Sequence, residues 1–572
     1  MAGRSLRGLG QWGIFLWILF IALPGLLVGC GQGGGEQEGM PGGSSPPSGG
    51  SLPPSGENRL PPTVKGYRTV TITSFDGTPI VFTVFEPALK MGETAPLVIH
   101  GHGFGGHRIR SPEDVSTDSK LISDTVFRLW EAGYYVISFD QRGFGDSGGY
   151  VRVMDPDVEI RDVQAILDWA ETNLRLTYRK DRPMIGTFGA SYGGGFQLLT
   201  NARDARIAAM VPMVTWYNLP YSLAPGDVPK TAWATLLLAG GTSGSRGRMD
   251  PVIYDSYVRG LLSNSMGPDA RAFFGYHSLA YFCERGRVNS TPALVVQGMR
   301  DTLFNLNEGY WIAKCLESTG ADVRLVTVQT GHVLPYLQAP AGKANCGPMG
   351  RDDPGASILA WFEEKLRGKV GAASGIPRLC FSLDDQEAIT FDRLEVPRGG
   401  VEHQIPRALL LPLQGLSGLS DAARRLLNSV LAAVAPYLDP AGGLVSSVAG
   451  ALVGPVFVPL KTFTELAVMA GIPLFRLEIA GPVQETNPII FVGVGIRRVD
   501  GRMEVVDEQV YPLKGFGIHE GELVGVGAKL NPGDTLGLVL FGFNEQFLLN
   551  GSRLPFVAEV RGSVWLPYEL GR

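Results

Sequence analysis

From about residue 68 to Arg367, hydrophobic positions switch repeatedly between two periods. Thr69–Thr73 and Ile80–Phe85 flank Asp76-Gly77, a strong turn signal, and predict a β-hairpin. Apolar runs of strand length follow at 97–100, 134–139, 184–188, 207–214, 293–296 and 323–328. The segments between them have helical spacing. At 158–174, Ile160, Val163, Ile166, Leu167 and Ala170 recur every three or four residues, and helices are also expected near 119–132, 308–318 and 356–367. Strand and helix in alternation predict an α/β fold with a mostly parallel sheet.

Between Trp216 and Asn289 the alternation stops, and aromatic residues, glycine and proline take over. A cap of about residues 217–290, inserted into a sheet domain of 66–370, is expected there. Beyond Gly371 the period shortens. Leu474–Ile479, Ile489–Ile496, Thr535–Phe541 and Phe556–Val564 read as strands with turns such as Asp500-Gly501 between them, which predicts a C-terminal β-sandwich over 371–572. It is interrupted at about 405–470, where Leu419, Ala423, Leu426, Val430 and Val434 share one helical face. No residue between Asp439 and Lys461 is charged, but Pro440, Pro455 and Pro459 argue against a membrane-spanning helix. A hydrophobic helical insertion packed on the body is expected instead.

The N-terminus changes this picture. Arg4 and Arg7 precede an apolar run from Ile14 to Leu27, and Leu27-Val28-Gly29-Cys30 resembles a bacterial lipobox. On that reading residues 1–29 are a signal peptide and Cys30 is lipidated. Residues 30–65, rich in Gly, Pro, Ser, Gln and Glu, are then a tether too polar to bury a core. The expected product is an exported protein, lipid-anchored on the outer side of a bacterial membrane. At 572 residues the chain is long enough for at least two domains. Its net charge of −5 gives no reason to expect nucleic-acid binding. Cys283, Cys315, Cys346 and Cys380 are the remaining cysteines; in an exported protein they permit two disulfides in three connectivities.

Gly-x-Ser-x-Gly occurs twice, at Gly145–Gly149 and Gly189–Gly193. Ser147 lies in a glycine-rich loop with no helix immediately after it. Ser191 lies between an apolar strand and a helix, the sequence form of a nucleophile elbow. A serine hydroxyl is a poor nucleophile without a histidine to take its proton and a carboxylate to orient that histidine. With the elbow fixed, the acid and then the histidine should follow at the ends of later strands. Asp301 ends the 293–296 strand segment, whereas its competitor Asp322 precedes a strand. His332 follows the 323–328 strand, which reads as the last of the sheet. His277 falls in the cap, and His403 and His519 fall in the C-terminal region. The oxyanion hole needs two backbone N–H donors, expected from Tyr192 and from Phe104 in the loop His102–Gly106. A metal site at His100, His102 and His107 is disfavoured, because no carboxylate or cysteine joins them at ligand spacing. No metal and no cofactor are expected.

These parts together resemble an α/β-hydrolase, and more narrowly the Xaa-Pro dipeptidyl-peptidase and cocaine-esterase-like serine hydrolases. The matching stretches are Ser74–Thr78, Phe139–Gly149, Gly189–Gly194 and Gly298–Asp301. The resemblance implies a cap in the sheet domain and a jelly-roll-like β domain at the C-terminus. Where that group commonly carries a proline–tyrosine motif whose hydroxyl completes the oxyanion hole, this chain has His102–Gly106, as general esterases and lipases do. The expected activity is hydrolysis of a small-molecule or peptide acyl substrate. An Xaa-Pro peptidase would need a cap carboxylate for the substrate amine, for which Asp227, Asp250 and Asp255 are candidates. A non-catalytic surface-binding lipoprotein on the same fold is the alternative from another class.

Overall fold

The computed structural model describes residues 61–114, 120–332, 346, 354–383, 387–410, 455–483 and 487–571. Cys30, the signal segment, nearly all of the tether and residues 411–454 of the insertion lie outside them.

Ten strands form one mixed sheet. In chain order they are β1 (Gly66–Thr73), β2 (Pro79–Glu86), β3 (Leu97–Gly101), β4 (Tyr135–Phe139), β5 (Ile185–Ala190), β6 (Ile207–Met213), β7 (Ala293–Gly298), β8 (Val323–Val328), β9 (Leu379–Ser382) and β10 (Ala388–Phe391). Their order across the sheet is β1-β2-β4-β3-β5-β6-β7-β8-β9-β10, and every pair from β4 to β9 is parallel. The central strands are buried along their whole length, while the edge strand β1 alternates between half-buried and exposed. That is why the central runs are largely apolar without strict alternation: helices cover both faces.

The covering helices are α1 (Lys120–Glu131), α2 (Glu159–Asn173), α3 (Tyr192–Arg203), α9 (Leu306–Ser318) and α10 (Pro354–Lys365). The cap between β6 and β7 is helical: α4 (Leu219–Leu223), α5 (Thr231–Gly244), α6 (Pro251–Ser263), α7 (Pro268–Tyr276) and α8 (Leu279–Cys283). Its first turn is held by Glu308, whose carboxylate accepts from Asn218 N (2.8 Å), Ser222 Oγ (2.7 Å) and the amide of Tyr217. The Cys283–Cys315 disulfide joins α8 to α9, and Cys346–Cys380 joins the segment after His332 to β9.

The boundary expected at Gly371 moves. Strands β9 and β10 extend the catalytic sheet, so β8 is not its last strand. Leu379–Ser382 is fully buried and pairs in parallel with β8, which puts its apolar side chains in the sheet core and not in a separate sandwich. The flanks of the expected helical insertion are also strands. Val401–Leu410 pairs with Ala558–Leu566, Val456–Thr462 with Thr535–Phe541, and Ala467–Gly471 with Val526–Leu530. Among the described residues the C-terminal region has three antiparallel sheets around an apolar core that includes Phe475, Leu477, Ile490, Leu538 and Val560, with a smaller cluster of Ile489, Phe491, Val539 and Phe541 packed with Val228 of the cap. No helix among the described residues is long and apolar enough to cross a membrane.

Candidate active site

Three loops leave the carboxyl ends of β5, β7 and β8 and converge. Ser191 follows β5 directly and has φ 56°, ψ −117°. A non-glycine residue at positive φ stores strain, which is the form an elbow takes to lift its hydroxyl off the backbone. The neighbouring glycines are required by close approach. A Cβ on Gly193 would lie 2.0 Å from the Gly101 carbonyl oxygen, because α3 starts hard against the end of β3. Gln197, fully buried one turn on, braces the elbow by donating to Gly193 O (2.8 Å) and accepting from Val211 N (3.1 Å).

Ser191 Oγ lies 2.9 Å from His332 Nε2, and His332 Nδ1 lies 2.7 Å from Asp301 Oδ2. The structure thus brings together all three residues singled out from the sequence. Asp301 is fully buried, and its second oxygen accepts from Leu303 N and Phe304 N, each at 2.9 Å. The imidazole is packed edge-on by Phe304 (5.0 Å between ring centres) and by Trp233 of the cap (5.6 Å). Tyr192 and Phe104 border the same cavity as Ser191, their rings 5.1 Å apart.

Ser147 is spent on structure. Its hydroxyl donates to Asp140 O (2.7 Å) and accepts from Val81 N (2.9 Å), which ties its loop to β2. Arg142 in that loop pairs with Asp162 and Asp76, each at 2.7 Å, so the stretches Ser74–Thr78 and Phe139–Gly149 are held to each other and to α2. His100 and His102 are buried, and burial lowers them to about 3 and about 4, so both are neutral imidazoles. No group of His, Cys, Asp and Glu among the described residues could hold a metal ion.

Residues that the sequence did not single out support the three loops. Lys230, buried in the cap, donates to Thr302 O (2.7 Å) and Leu303 O (3.2 Å), next to Asp301. Burial lowers its pKa to about 8, against the opposing pull of Asp301 and Glu308. Gln509 of the C-terminal region donates to Met299 O (2.9 Å) and Asp301 O (3.1 Å). Glu159 sits behind the elbow and accepts from Tyr192 Oη (2.9 Å), Arg152 N (2.9 Å) and Asp155 N (2.6 Å).

Burial raises Glu159 to about 7, although its three donors favour the ionised form. A carboxyl raised from 4.5 holds its proton longer in the folded chain than in the unfolded one. Its contribution to stability is therefore full below pH 4.5 and is lost as pH rises through 7. The expected result is that the unfolding free energy of wild type relative to Glu159→Gln falls by about 3 kcal/mol between those limits. The buried histidines titrate in the opposite sense but cancel in this difference. Denaturant melts of both proteins across the range check it; a difference independent of pH would refute it.

The family model described as X-Pro dipeptidyl-peptidase (S15 family) matches residues 76–334, which span all three loops and the cap. Over those residues, a little under half of the chain, the sequence is similar to the X-Pro dipeptidyl-peptidase (S15) family. A CocE/NonD family hydrolase from Staphylococcus aureus shares its fold with a TM-score of 0.60 at 12% identity, covering 89% of this chain and 97% of that one. An α-amino acid ester hydrolase gives 0.56 at 13% identity, covering 88% and 96%. At such identities the likeness is one of fold. An uncharacterized 31.7 kDa protein of Escherichia coli is 31% identical over 153 residues, 27% of this chain and 45% of that protein. The quorum-quenching protein AidA of Acinetobacter baumannii is 30% identical over 129 residues, 22% of this chain and 37% of that protein. The chain thus spans less than half the length of the curated relatives it matches.

Proposed function

We propose that the chain is a serine hydrolase that cleaves a carboxylic ester through an acyl-enzyme. The observation that carries this reading is the unbroken run of hydrogen bonds from Ser191 through His332 to Asp301. Ser191 Oγ attacks the substrate carbonyl carbon while His332 Nε2 takes the hydroxyl proton. Asp301 holds the imidazole with its proton on Nδ1 and stabilises the imidazolium. The N–H groups of Tyr192 and Phe104 receive the charge that develops on the carbonyl oxygen. The tetrahedral adduct then loses the alcohol, to which His332 returns the proton. Water, activated by the same histidine, releases the acid and frees Ser191. A fluorophosphonate probe tests this reading: wild type should label at Ser191, and Ser191→Ala should not. Equal labelling of the two proteins, or none of wild type, would leave only a binding protein on a hydrolase fold.

X-Pro dipeptidyl-peptidase activity is the second reading, favoured by the family match over 76–334. Hydrolysis of Gly-Pro-p-nitroanilide at a rate near that of simple esters would favour it over the first.

The reading extends to location. Leu27-Val28-Gly29-Cys30 and the polar tether support a lipid anchor at Cys30, and two disulfides support an oxidising compartment. Expression of the full chain in a bacterium should give protein in the membrane fraction, and Cys30→Ala should lose lipidation by mass spectrometry. An unchanged mass for wild type after processing would exclude the anchor.

A further inference from the structure

One side of Ser191 opens on a cavity of about 130 Å³ in which apolar walls predominate. Phe104 and Tyr192 stand at its Ser191 end, and cap residues such as Leu219, Leu237, Ile253 and Phe274 line the rest. Among the described residues, its wall carries no carboxylate, amine, guanidinium or imidazole. The polar side-chain groups on it are hydroxyls, the Trp216 indole and the Asn550 amide; the indole donates to His277 O (2.9 Å), and the amide is engaged with Thr231, Asn264 and Gly260 O.

Among the described residues that line this cavity are Ser191 and Phe304, and His332 is not one of them. Only a leaving group beside His332 can receive its proton. Ser191 itself borders the cavity, and the acyl group that remains on Ser191 after the alcohol departs can be placed there.

The cap carboxylates that could have gripped a substrate amine are committed elsewhere. Asp227 accepts from Ser265 Oγ (2.6 Å) and pairs with Arg271 (2.7 Å) and Lys514 (3.2 Å). Asp250 caps α6 through Val252 N (3.0 Å) and pairs with Arg152 (3.1 Å). Asp255 pairs with Arg259 at 2.7 Å. Glu159 and Glu308 lie behind the wall, each saturated with the donors already described. An ammonium drawn into this cavity would lose its water and gain no counter-charge, which costs several kcal/mol.

Resting on the serine-hydrolase reading, we propose that the substrate is an ester of an uncharged, apolar acyl group of roughly six carbons, without a free α-amine, and that the cap cavity selects it. The size follows from the volume, which is close to that of an apolar protein cavity known to accept benzene. Each methylene transferred from water into such walls is worth about a threefold to fourfold gain in kcat/KM.

The test compares p-nitrophenyl acetate, butyrate, hexanoate, decanoate and 2-aminohexanoate on the purified protein. Each rate is divided by the uncatalysed rate of the same ester, so that intrinsic reactivity cancels. The expected kcat/KM rises roughly fiftyfold or more from acetate to hexanoate and falls by decanoate. The 2-aminohexanoate should be at least about tenfold slower than hexanoate. Ala234→Leu, which adds bulk to the cavity wall, should lower hexanoate relative to acetate by about tenfold. A flat or acetate-favouring profile overturns the proposal, as does a 2-aminohexanoate rate equal to or above that of hexanoate. Because labelling of Ser191 is scored separately, a labelled enzyme with the wrong profile refutes the acyl selection alone. An unlabelled one refutes the hydrolase reading beneath it.

Discussion

Replacing Ser191 with alanine is expected to lower kcat by about 10⁴- to 10⁶-fold, and replacing His332 as well should lower it little further. The reason is geometric. Ser191 Oγ has His332 Nε2 at 2.9 Å as its proton acceptor, and without the hydroxyl the histidine has nothing to activate. The residual rate over water should come from substrate binding and the proposed N–H donors, Tyr192 and Phe104. Asp301→Asn separates orientation from charge. Leu303 N and Phe304 N both donate to Oδ1, so the asparagine carbonyl will stay there and its NH₂ will face His332 Nδ1. That forces the proton of the imidazole onto Nε2, where it opposes attack by Ser191. A loss of about 10⁴-fold in kcat with an unchanged melting profile is the expected result. Steady-state kinetics of the two single variants, the double variant and Asp301→Asn decide the matter. Multiplicative losses in the double variant, or an asparagine variant with more than a tenth of wild-type activity, would show that the three residues do not act as a unit.

Those three residues were legible because each sits one to four positions past a largely apolar strand. The sheet itself was legible for the same reason, since burial on both faces leaves few polar positions, such as Thr187, Gln297 and Arg324, to blur the runs. The two strands missed beyond β8 are short. Leu379–Ser382 and Ala388–Phe391 have four residues each, and a long connection containing α10 separates them from β8. The flanks of the insertion were misread because the helical spacing of Leu419–Val434 and the uncharged stretch after Asp439 were extended over strands whose partners, Ala558–Leu566, Thr535–Phe541 and Val526–Leu530, lie far along the chain. The supporting groups were out of reach for another reason. Glu159 meets Tyr192 across 33 residues, and Lys230 meets Thr302 across 72. Nothing in the local pattern ties either to its partner. The disulfide pairing was open on spacing alone, and it follows from which helices and strands the fold sets side by side.

The elbow rests on a close backbone approach at Gly193, which makes that position sensitive for both stability and the placement of Ser191. Gly193→Ala is expected to cost more than about 4 kcal/mol. The added methyl would stand 2.0 Å from Gly101 O and 2.8 Å from Gly101 C, and both belong to the last residue of β3. Backbone cannot yield there as a side-chain tip can. Strand β3 is pinned between β4 and β5, and α3 is braced through Gln197. The methyl can be accommodated only by moving the start of α3 away from β3, which carries Ser191 and the Tyr192 N–H with it. The variant should lose its soluble fold or melt more than about 8 °C lower. If it folds, kcat/KM should fall by about 10²-fold, since a shift near 1 Å at a reacting group costs that much. Gly240→Ala is the matched control. Gly240 lies inside α5 with nothing within 4 Å of the added methyl, so alanine there should stabilise by about 0.5–1 kcal/mol through helix propensity. Differential scanning calorimetry of the two variants reads both effects. Equal melting temperatures would mean that the elbow does not rest on the end of β3, and the placement of Ser191 would lose its support.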